Sequence, residues 1–439
     1  MIAGDDTIAA IATAAGVGGV GIVRISGPDA VDIAASVLGV EPGALDRRVR
    51  VGWARGPDGV RIDQVLAFAM RAPASFTGED VAELHGHGGA HNLERLLAAV
   101  LARGARIADP GEFTRRAVAS GKLDLLRAEA LLEVIHAGSE RAWRLAQQNL
   151  GGRLGEVAGE LEQRATGVLA EIEGRIDFPE QGIEAEDAVV IGGELEALAA
   201  RCGKLADGFR HGRAVGHGIT VALVGPVNVG KSSLLNALIG KERALVAPLP
   251  GTTRDYLEVA DVWDGVAVTI VDTAGTRSTS DAIEARGIAL GEQRVAVADV
   301  VVVVNDHASA WDDGARYAER ALVVRSKADL GGELHGALAT SAETGHGLDE
   351  LKRRVLALAG VADREGSEDA FVTTARQQAT AAAARDAFAA AHVAWRGQRV
   401  AEIVALEVRQ GLSALAQLRG VEVGDRVLDE VFARFCIGK

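Results

Sequence analysis

The residues in this chain with the clearest chemistry lie in Gly225-Pro226-Val227-Asn228-Val229-Gly230-Lys231-Ser232, which fits G-x-x-x-x-G-K-[ST]. In such a loop the glycines let successive backbone N–H groups curl around phosphate oxygens at a helix N-terminus. Lys231 is spaced to reach β- and γ-phosphates, and Ser232 to hold Mg²⁺. The apolar run Ile219-Thr220-Val221-Ala222-Leu223-Val224 predicts a buried parallel strand before the loop. Ser233-Leu234-Leu235-Asn236-Ala237-Leu238 predicts a helix after it. That strand–loop–helix context separates the motif from an ordinary glycine-rich turn.

Four further motifs follow in order. Gly251-Thr252-Thr253-Arg254-Asp255 sits in a proline-bearing loop, where a threonine can bring its hydroxyl to Mg²⁺ and its N–H to a γ-phosphate. Asp272-Thr273-Ala274-Gly275 ends a predicted strand, with Asp272 suited to the Mg²⁺ shell and the Gly275 N–H to the γ-phosphate. Ser326-Lys327-Ala328-Asp329 ends another, and the Asp329 carboxylate matches the paired N–H donors of guanine, which adenine lacks. Ser341-Ala342 closes over the guanine O6 side. Each motif is weak alone; five in this order read as GTP binding and hydrolysis.

Two departures carry expectations. Asn-Lys-x-Asp is the usual base-reading motif, and Ser326 has less bonding capacity than asparagine. One lost hydrogen bond is worth about 1 kcal/mol, so weaker nucleotide affinity is expected. Thr276 follows Gly275 where Ras-like enzymes place a water-orienting glutamine. Glu284 is the candidate replacement, and Arg277 is either a charge donor or a surface residue. The Asn228 side-chain carbonyl could ligate a monovalent cation beside the phosphates, in place of an arginine finger.

The elements around this nucleotide domain, expected over 218–362, suggest a multidomain chain. Residues 1–118 mix strands and helices without a strict βαβ rhythm, which predicts an α+β domain. Gly19 to Ser26 reads as a strand on which Arg24 is either a solvated edge residue or a site residue. Val51–Arg55 and Val60–Met70 read as a hairpin, Val81–Leu84 as a strand bearing Glu83, and 90–103 as a helix. His85, His87 and His91 invite a metal reading that the intervening glycines disfavour. In 119–212, Leu154, Val157, Leu161, Ala165, Val168 and Ile172 trace one helix face. That helix should end at Asp177-Phe178-Pro179, and another is expected from Glu194 to Phe209. The glycine-rich stretch from His211 to Gly218 reads as a linker. Residues 370–439 return to helical spacing, which makes the nucleotide domain an insertion in one all-α domain. Cys436 is either a free reactive thiol or a packed helix-end cysteine; a prenylation box is rejected because Gly438 and Lys439 suit it poorly.

Bulk properties bound the partners. The net charge of −14 argues against nucleic-acid binding spread over the whole surface, but leaves room for a local basic patch. Two cysteines among 439 residues make no disulfide framework, and no run of 18 apolar residues appears. Together these predict a cytoplasmic protein that does not span a membrane.

Beyond the nucleotide motifs, the sequence carries Asp6-Thr7-Ile8, Gly18-Gly19-Val20-Gly21-Ile22, Ser75-Phe76-Thr77-Gly78-Glu79-Asp80, Gly86-His87-Gly88-Gly89, Pro110-Gly111-Glu112-Phe113, Lys122-Leu123-Asp124-Leu125 and the tail Phe435-Cys436-Ile437-Gly438-Lys439. With these it resembles the MnmE (TrmE) family of tRNA-modification GTPases along essentially its whole length. The resemblance implies an N-terminal domain that binds 5-formyltetrahydrofolate or a related tetrahydrofolate and forms a homodimer, with Arg24, Glu83, Lys122 and Lys439 at the folate positions. It implies potassium-dependent pairing of GTPase domains, with K⁺ held by Asn228, Ala247, Leu249 and Thr252, and Mg²⁺ by Ser232 and Thr253. Glu284 matches the water-positioning glutamate, and Lys231, Asn228 and Cys436 complete the catalytic set, Cys436 matching the family's tail thiol. The nucleotide set runs through Asn228, Val229, Gly230, Lys231, Ser232 and Ser233; Ala247, Pro248, Leu249, Pro250, Gly251, Thr252 and Thr253; Asp272, Thr273, Ala274 and Gly275; Ser326, Lys327, Ala328 and Asp329; and Ser341, Ala342 and Glu343. Val227 stands where the family usually has proline.

The implied activity pairs the chain with the flavoprotein MnmG (GidA) to place an aminomethyl-type group on C5 of the tRNA wobble uridine. The absence of a flavin motif here fits a partner that carries one. The alternative is a ribosome-assembly or regulatory switch of the Era/Der type. A second phosphate loop or a KH-type RNA domain would mark it, and the sequence has neither.

Overall fold

The computed structural model describes residues 6–177, 185–239, 258–272, 293–306, 314–331, 336–361, 370–397, 400–421 and 423–438. Chain-proximal strands come first: β1 (Ile8–Ile11), β2 (Val20–Ser26), β3 (Arg50–Arg55), β4 (Arg61–Met70), β5 (Val81–His87) and β6 (Arg106–Ile107). They form one mixed sheet in the order β3-β4-β5-β2-β1-β6. The expected hairpin is present, with Trp53 opposite Gln64 and Val51 opposite Leu66. On a period of two, one face carries Ala54, Val65, Ala67, Ala82, Leu84, Val23 and Ile25. This face is buried against α1 (Ala30–Leu38) and α2 (Ala90–Leu101). The opposite face carries Arg24, Glu83 and His85.

The reading of Arg24 as an edge residue is therefore corrected. β2 lies between β5 and β1, so no edge of the sheet passes through it. His87 and His91 share no helix face either: His87 ends β5, and α2 begins at Ala90. Among the described residues no group of three metal-ligating side chains exists.

Beside this sheet, α3 (Glu112–Ala119) carries the buried Arg116. Its guanidinium meets Asp6 at 2.8 Å, Glu112 at 3.0 Å and Glu79 at 3.2 Å, and Arg106 joins from the rim with 2.7 Å to Glu112. Ser26 and Thr77 extend the network to Glu79. Burial raises the Asp6 and Glu112 carboxyls, but the arginine hydrogen bonds outweigh it and hold both below the usual range.

The second group of elements is helical: α4 (Leu125–His136), α5 (Glu140–Leu150), α6 (Arg153–Asp177), α7 (Ala185–Asp207) and α8 (Phe209–His217). All six positions read as the α6 core face are buried, and the helix reaches Asp177 as expected. α7 begins earlier than Glu194. The stretch read as a linker is helical instead, as α8. Its glycines serve close packing rather than flexibility: a Cβ on Gly212 would lie 2.3 Å from the Val372 carbonyl oxygen.

The α/β part follows, with β7 (Ile219–Val224), α9 (Lys231–Ile239), β8 (Glu258–Trp263), β9 (Val266–Asp272), β10 (Val300–Asn305), β11 (Ala321–Arg325), β12 (Leu338–Ala339) and α10 (Leu348–Leu358). Its sheet runs β12-β11-β10-β7-β9-β8, parallel except for β8. The near-continuous valines of β10 are buried on both faces, as a central parallel strand requires. The chain closes with α11 (Ala375–Arg396), α12 (Ala401–Arg419) and α13 (Asp425–Phe432). Thr374 and Gln377 form a capping box at the start of α11, which packs along α7. Cys202 is buried on α7, and burial pushes its thiol up to about 12.

Two compact units result. One holds residues 1–132 with 419–439; the other holds 133–418 and so contains both the α/β part and most of the helices. The architecture is multidomain: an α+β N-terminal part, an all-α part, and a P-loop α/β part inserted between helical segments.

The Arg116 network sets an acid limit on the first unit. Carboxyls held below their ordinary values of 3.8 and 4.5 contribute stability that is complete above those values. That stability is lost as pH falls through the lower folded-state values. Urea melts of the full chain are expected to weaken below about pH 4. Arg116→Ala should cost about 2 kcal/mol at neutral pH, because it removes the buried guanidinium whose charged hydrogen bonds compensate three partly buried carboxylates. An Arg116→Ala melt equal to that of the parent would refute the network's role.

Candidate functional site

The phosphate loop is set by two backbone constraints. Gly225 has φ 151°, and a Cβ there would lie 2.2 Å from the Val304 carbonyl oxygen of β10. Only glycine lets the loop leave β7 so close to its neighbour strand. Asn228 has φ 65°, a left-handed conformation that asparagine tolerates. The loop then opens α9, whose first residue is Lys231.

Lys231 is buried, and its Nζ donates to the carbonyls of Gly225 (2.9 Å) and Pro226 (2.8 Å). Burial lowers its pKa, and the nearby Asp272 opposes that shift. The Ser232 hydroxyl donates to Asp272 Oδ2 at 2.9 Å. Asp272 Oδ1 is buried with no hydrogen-bond partner among the described residues. A hydroxyl in the first turn of α9 and an orphaned carboxylate oxygen at the end of β9 fit a hard, oxygen-seeking divalent ion. Ser232 and Asp272 are the described residues that suit Mg²⁺; Thr253 lies outside the described residues.

The base-reading loop follows β11, two strands from β7 in the sheet, with β10 between them. Ser326 Oγ lies 2.5 Å from the Val229 carbonyl oxygen and 3.0 Å from that of Asn305. The serine thus ties the base-reading loop to the phosphate loop, which the sequence comparison with asparagine did not reveal. Lys327 has φ 53° and crosses the same gap, with Nζ 3.0 Å from the Asn228 carbonyl oxygen and 3.1 Å from Asp306 Oδ2. Asp329 accepts from Ser341 Oγ at 2.5 Å. That bond holds its carboxyl below the usual range. Ala328 N–H donates to the Thr340 carbonyl at 3.0 Å, which joins the two base-side loops. Asn228, Val229 and Gly230 therefore fall in the loop after β7, and Lys231, Ser232 and Ser233 open α9; Asp272 ends β9, and Ser326 to Asp329 and Ser341 to Glu343 lie in the segments after β11 and β12. Ala247 to Thr253, Thr273 to Gly275, Arg277 and Glu284 lie outside the described residues.

A second constellation stands on the open face of the N-terminal sheet. Arg24 Nε donates to Glu83 Oε1 at 2.9 Å, directly across the β2–β5 pairing. Glu83 is buried, and its other oxygen meets His85 Nε2 at 2.8 Å. The Arg24 guanidinium lies 5.9 Å from the Phe76 ring centroid and 5.8 Å from that of Phe113, within cation–π range. Arg24 Nη1 also reaches the Gly438 carbonyl at 3.5 Å, so the C-terminal tail borders this cluster. Lys122 is exposed on the turn after α3, beside Gly78, and is not among the groups that touch Arg24 or Glu83. Lys439 lies outside the described residues. Cys436 is exposed, so it is not the packed helix-end cysteine of the bland reading.

The sequence reading missed His85 as the partner of Glu83, and missed Phe76 and Phe113 as flanking rings. His85 was recoverable, since residues two apart on a strand share a face. The phenylalanines were not, because they come from separate loops and helices.

The nucleotide geometry yields a direct test. Ser326→Ala removes the bridge to Val229 and is expected to weaken GDP binding roughly fivefold, about 1 kcal/mol. Ser326→Asn should bind at least as well as the parent. Equal affinity for the parent and the alanine variant, by titration with a fluorescent GDP, would show the bridge to be idle.

Comparison with known proteins matches residues 7–122 to a family described as the GTP-binding protein TrmE N-terminus, and residues 125–436 to the MnmE helical domain. A tRNA modification GTPase MnmE from Synechococcus sp. (strain RCC307) is 43% identical over 455 residues, covering 100% of both chains. One of the same description from Moorella thermoacetica is 39% identical over 463 residues, covering 99% of this chain and 100% of that protein.

Proposed function

The chain belongs to the MnmE family of tRNA-modification GTPases, and on that premise we propose that it is a potassium-activated GTPase which, with the flavoprotein MnmG (GidA), installs an aminomethyl-type group at C5 of the tRNA wobble uridine. The observation that carries the reading is the joining of two sites in one chain: a complete strand-end phosphate loop, and an Arg24–Glu83–His85 cluster on an open sheet face. GTP hydrolysis linked to tRNA modification is the family's activity, and Mg²⁺ and GTP follow from it. The potassium, the folate and the flavin partner are our reading.

In the nucleotide site, Lys231 exchanges its loop carbonyls for phosphate oxygens, a trade that keeps a buried ammonium hydrogen-bonded. Ser232 and Asp272 present the Mg²⁺ side, with Thr253 as the second hydroxyl. Asp329, fixed by Ser341, reads guanine. Asn228, Ala247, Leu249 and Thr252 would hold K⁺, which would supply the positive charge that an arginine finger supplies elsewhere. Glu284 orients the attacking water. The left-handed Asn228 supports this role, since it keeps the side chain exposed at the mouth of the loop.

In the N-terminal site, Glu83 keeps lone pairs beyond those used by Arg24 and His85. A buried carboxylate paired with an arginine that two aromatic rings flank fits a flat heterocycle with N–H donors, which a tetrahydrofolate such as 5-formyltetrahydrofolate carries. Bound, that group supplies the one-carbon unit. Arg24 and Glu83 would orient it, Lys122 and Lys439 would meet its acidic tail, and Cys436 stands on the bordering segment. The homodimer, the cytoplasmic location and the four-part division 1–118, 119–212, 218–362 and 370–439 belong to the same reading. Among the described residues no helix is long and apolar enough to cross a membrane.

GTP turnover is expected to run several-fold faster in KCl than in NaCl at equal ionic strength; equal rates would remove K⁺ from the reading. Glu284→Ala should slow hydrolysis while GTP binding persists, and lost binding would make Glu284 structural. Nucleoside analysis of tRNA from cells lacking the protein tests the whole: unmodified wobble uridines are expected, and unchanged ones would overturn it.

A further inference from the structure

The protein is strongly acidic, yet one hairpin gathers arginine. Arg47, Arg48 and Arg50 lead into β3, Arg55 ends it, and Arg61 begins β4. Four of the five are exposed and Arg55 is half-buried. Several other arginines of this unit are spent on carboxylates: Arg71 on Asp80, Arg106 on Asp6 and Glu112, Arg116 on three acids. Among the described residues, none of the five hairpin arginines has such a partner. Arg47, Arg50 and Arg55 bond only backbone carbonyls, of Ala74, Ala44 and Gly59. Asp63 of β4 is taken up by His87 and Asn92, and Asp46 and Asp58 are turned to the backbone. Asp46 accepts the Arg48 N–H at 2.7 Å, and Asp58 accepts the Val60 N–H at 3.0 Å.

The hairpin also displays an aromatic ring. Trp53 is 41% exposed, and the Arg61 guanidinium lies 4.9 Å from its centroid. β3 is the edge strand, so nothing within the sheet covers this side. Cations left without carboxylates in a chain of net charge −14, beside an exposed indole, form a local field opposite to that of the rest of the surface. A polyanion with stacking faces is the chemistry that complements it: guanidinium groups meet phosphates, and the indole meets an unstacked base.

We propose that the β3–β4 hairpin of the N-terminal unit is a contact surface for the tRNA substrate, with Arg48, Arg50 and Arg61 on the phosphate backbone and Trp53 on a base. The inference rests on the tRNA-modifying reading and assigns it a surface. It also reconciles an acidic protein with a polyanionic substrate. A local basic edge attracts the polyanion where the net charge of the chain does not, so orientation follows from charge placement rather than from total charge.

The test uses the full-length protein and an unmodified tRNA transcript, with binding read by fluorescence anisotropy across a KCl series. The triple variant R48Q/R50Q/R61Q is expected to bind roughly tenfold more weakly at moderate salt. The slope of log affinity against log salt should fall by about 2 to 3, since each lost phosphate contact removes about 0.7 to 0.9. Trp53→Ala should weaken binding several-fold with the slope unchanged, as loss of stacking does. GTP turnover, measured in parallel, should match the parent and so confirms folding. Parent affinity and slope in the triple variant would overturn the proposal. So would a parent protein that does not bind the transcript. A variant that alters oligomeric mass while binding tRNA normally would make the hairpin a protein interface and overturn it too. None of these outcomes touches the tRNA nucleoside analysis, which alone decides the underlying reading.

Discussion

Much of this structure depends on one close passage between chain segments. Where α8 leads into β7, it runs against Phe371 to Thr373, the segment by which the chain leaves the α/β part. Gly212 gives the Val372 carbonyl room that no side chain would allow. The His211 and Phe371 rings lie 4.9 Å apart, and the Asn149 amide donates to the Phe371 carbonyl. The buried Glu133 accepts from the Thr373 hydroxyl and lies 3.7 Å from His217 Nε2, which joins the incoming and outgoing strands through one carboxylate. A domain can be inserted into a helical scaffold only if its two ends lie together. Here that closure is made by packed glycines and a buried acid, not by a flexible linker.

The same closure explains the placement of the nucleotide site. β7 starts directly after α8, and the phosphate loop starts directly after β7. The β8–β9 turn is held in turn by Arg141 of α5, which donates to the Asp264 carbonyl at 3.0 Å and packs under Gly265. β9 ends in Asp272, the carboxylate bonded to Ser232. Helical scaffold, interior sheet and phosphate loop are thus linked through short, hydrogen-bonded segments.

The two sites differ in how they were legible. The nucleotide motifs are local: each lies within eight residues or fewer, and those after β7, β9 and β11 end apolar strands. Such a site can be read from a string, because backbone geometry carries most of the recognition. Ser326 shows the limit. Judged by its bonding capacity it looked like a loss, yet its hydroxyl reaches the Val229 carbonyl 97 positions earlier in the chain. The N-terminal cluster is the opposite case. Arg24, Glu83, Phe76, Phe113 and Gly438 come from five segments, and the residue types alone left Arg24 divided between edge and site until the strand order put β2 inside the sheet.

The sequence by itself determined the class of chemistry, the α+β, helical and P-loop parts, and the helix faces, since those rest on spacing within a few turns of chain. It misjudged the glycines of 211–218, because a glycine that permits a bend and one that permits close packing are spelled alike. Tertiary structure alone decided that α8 is a helix, that residues 419–439 belong with the N-terminal unit, and that five arginines stand without carboxylates on one hairpin edge. Each of these depends on which distant groups meet, and charge and packing act through space rather than along the chain.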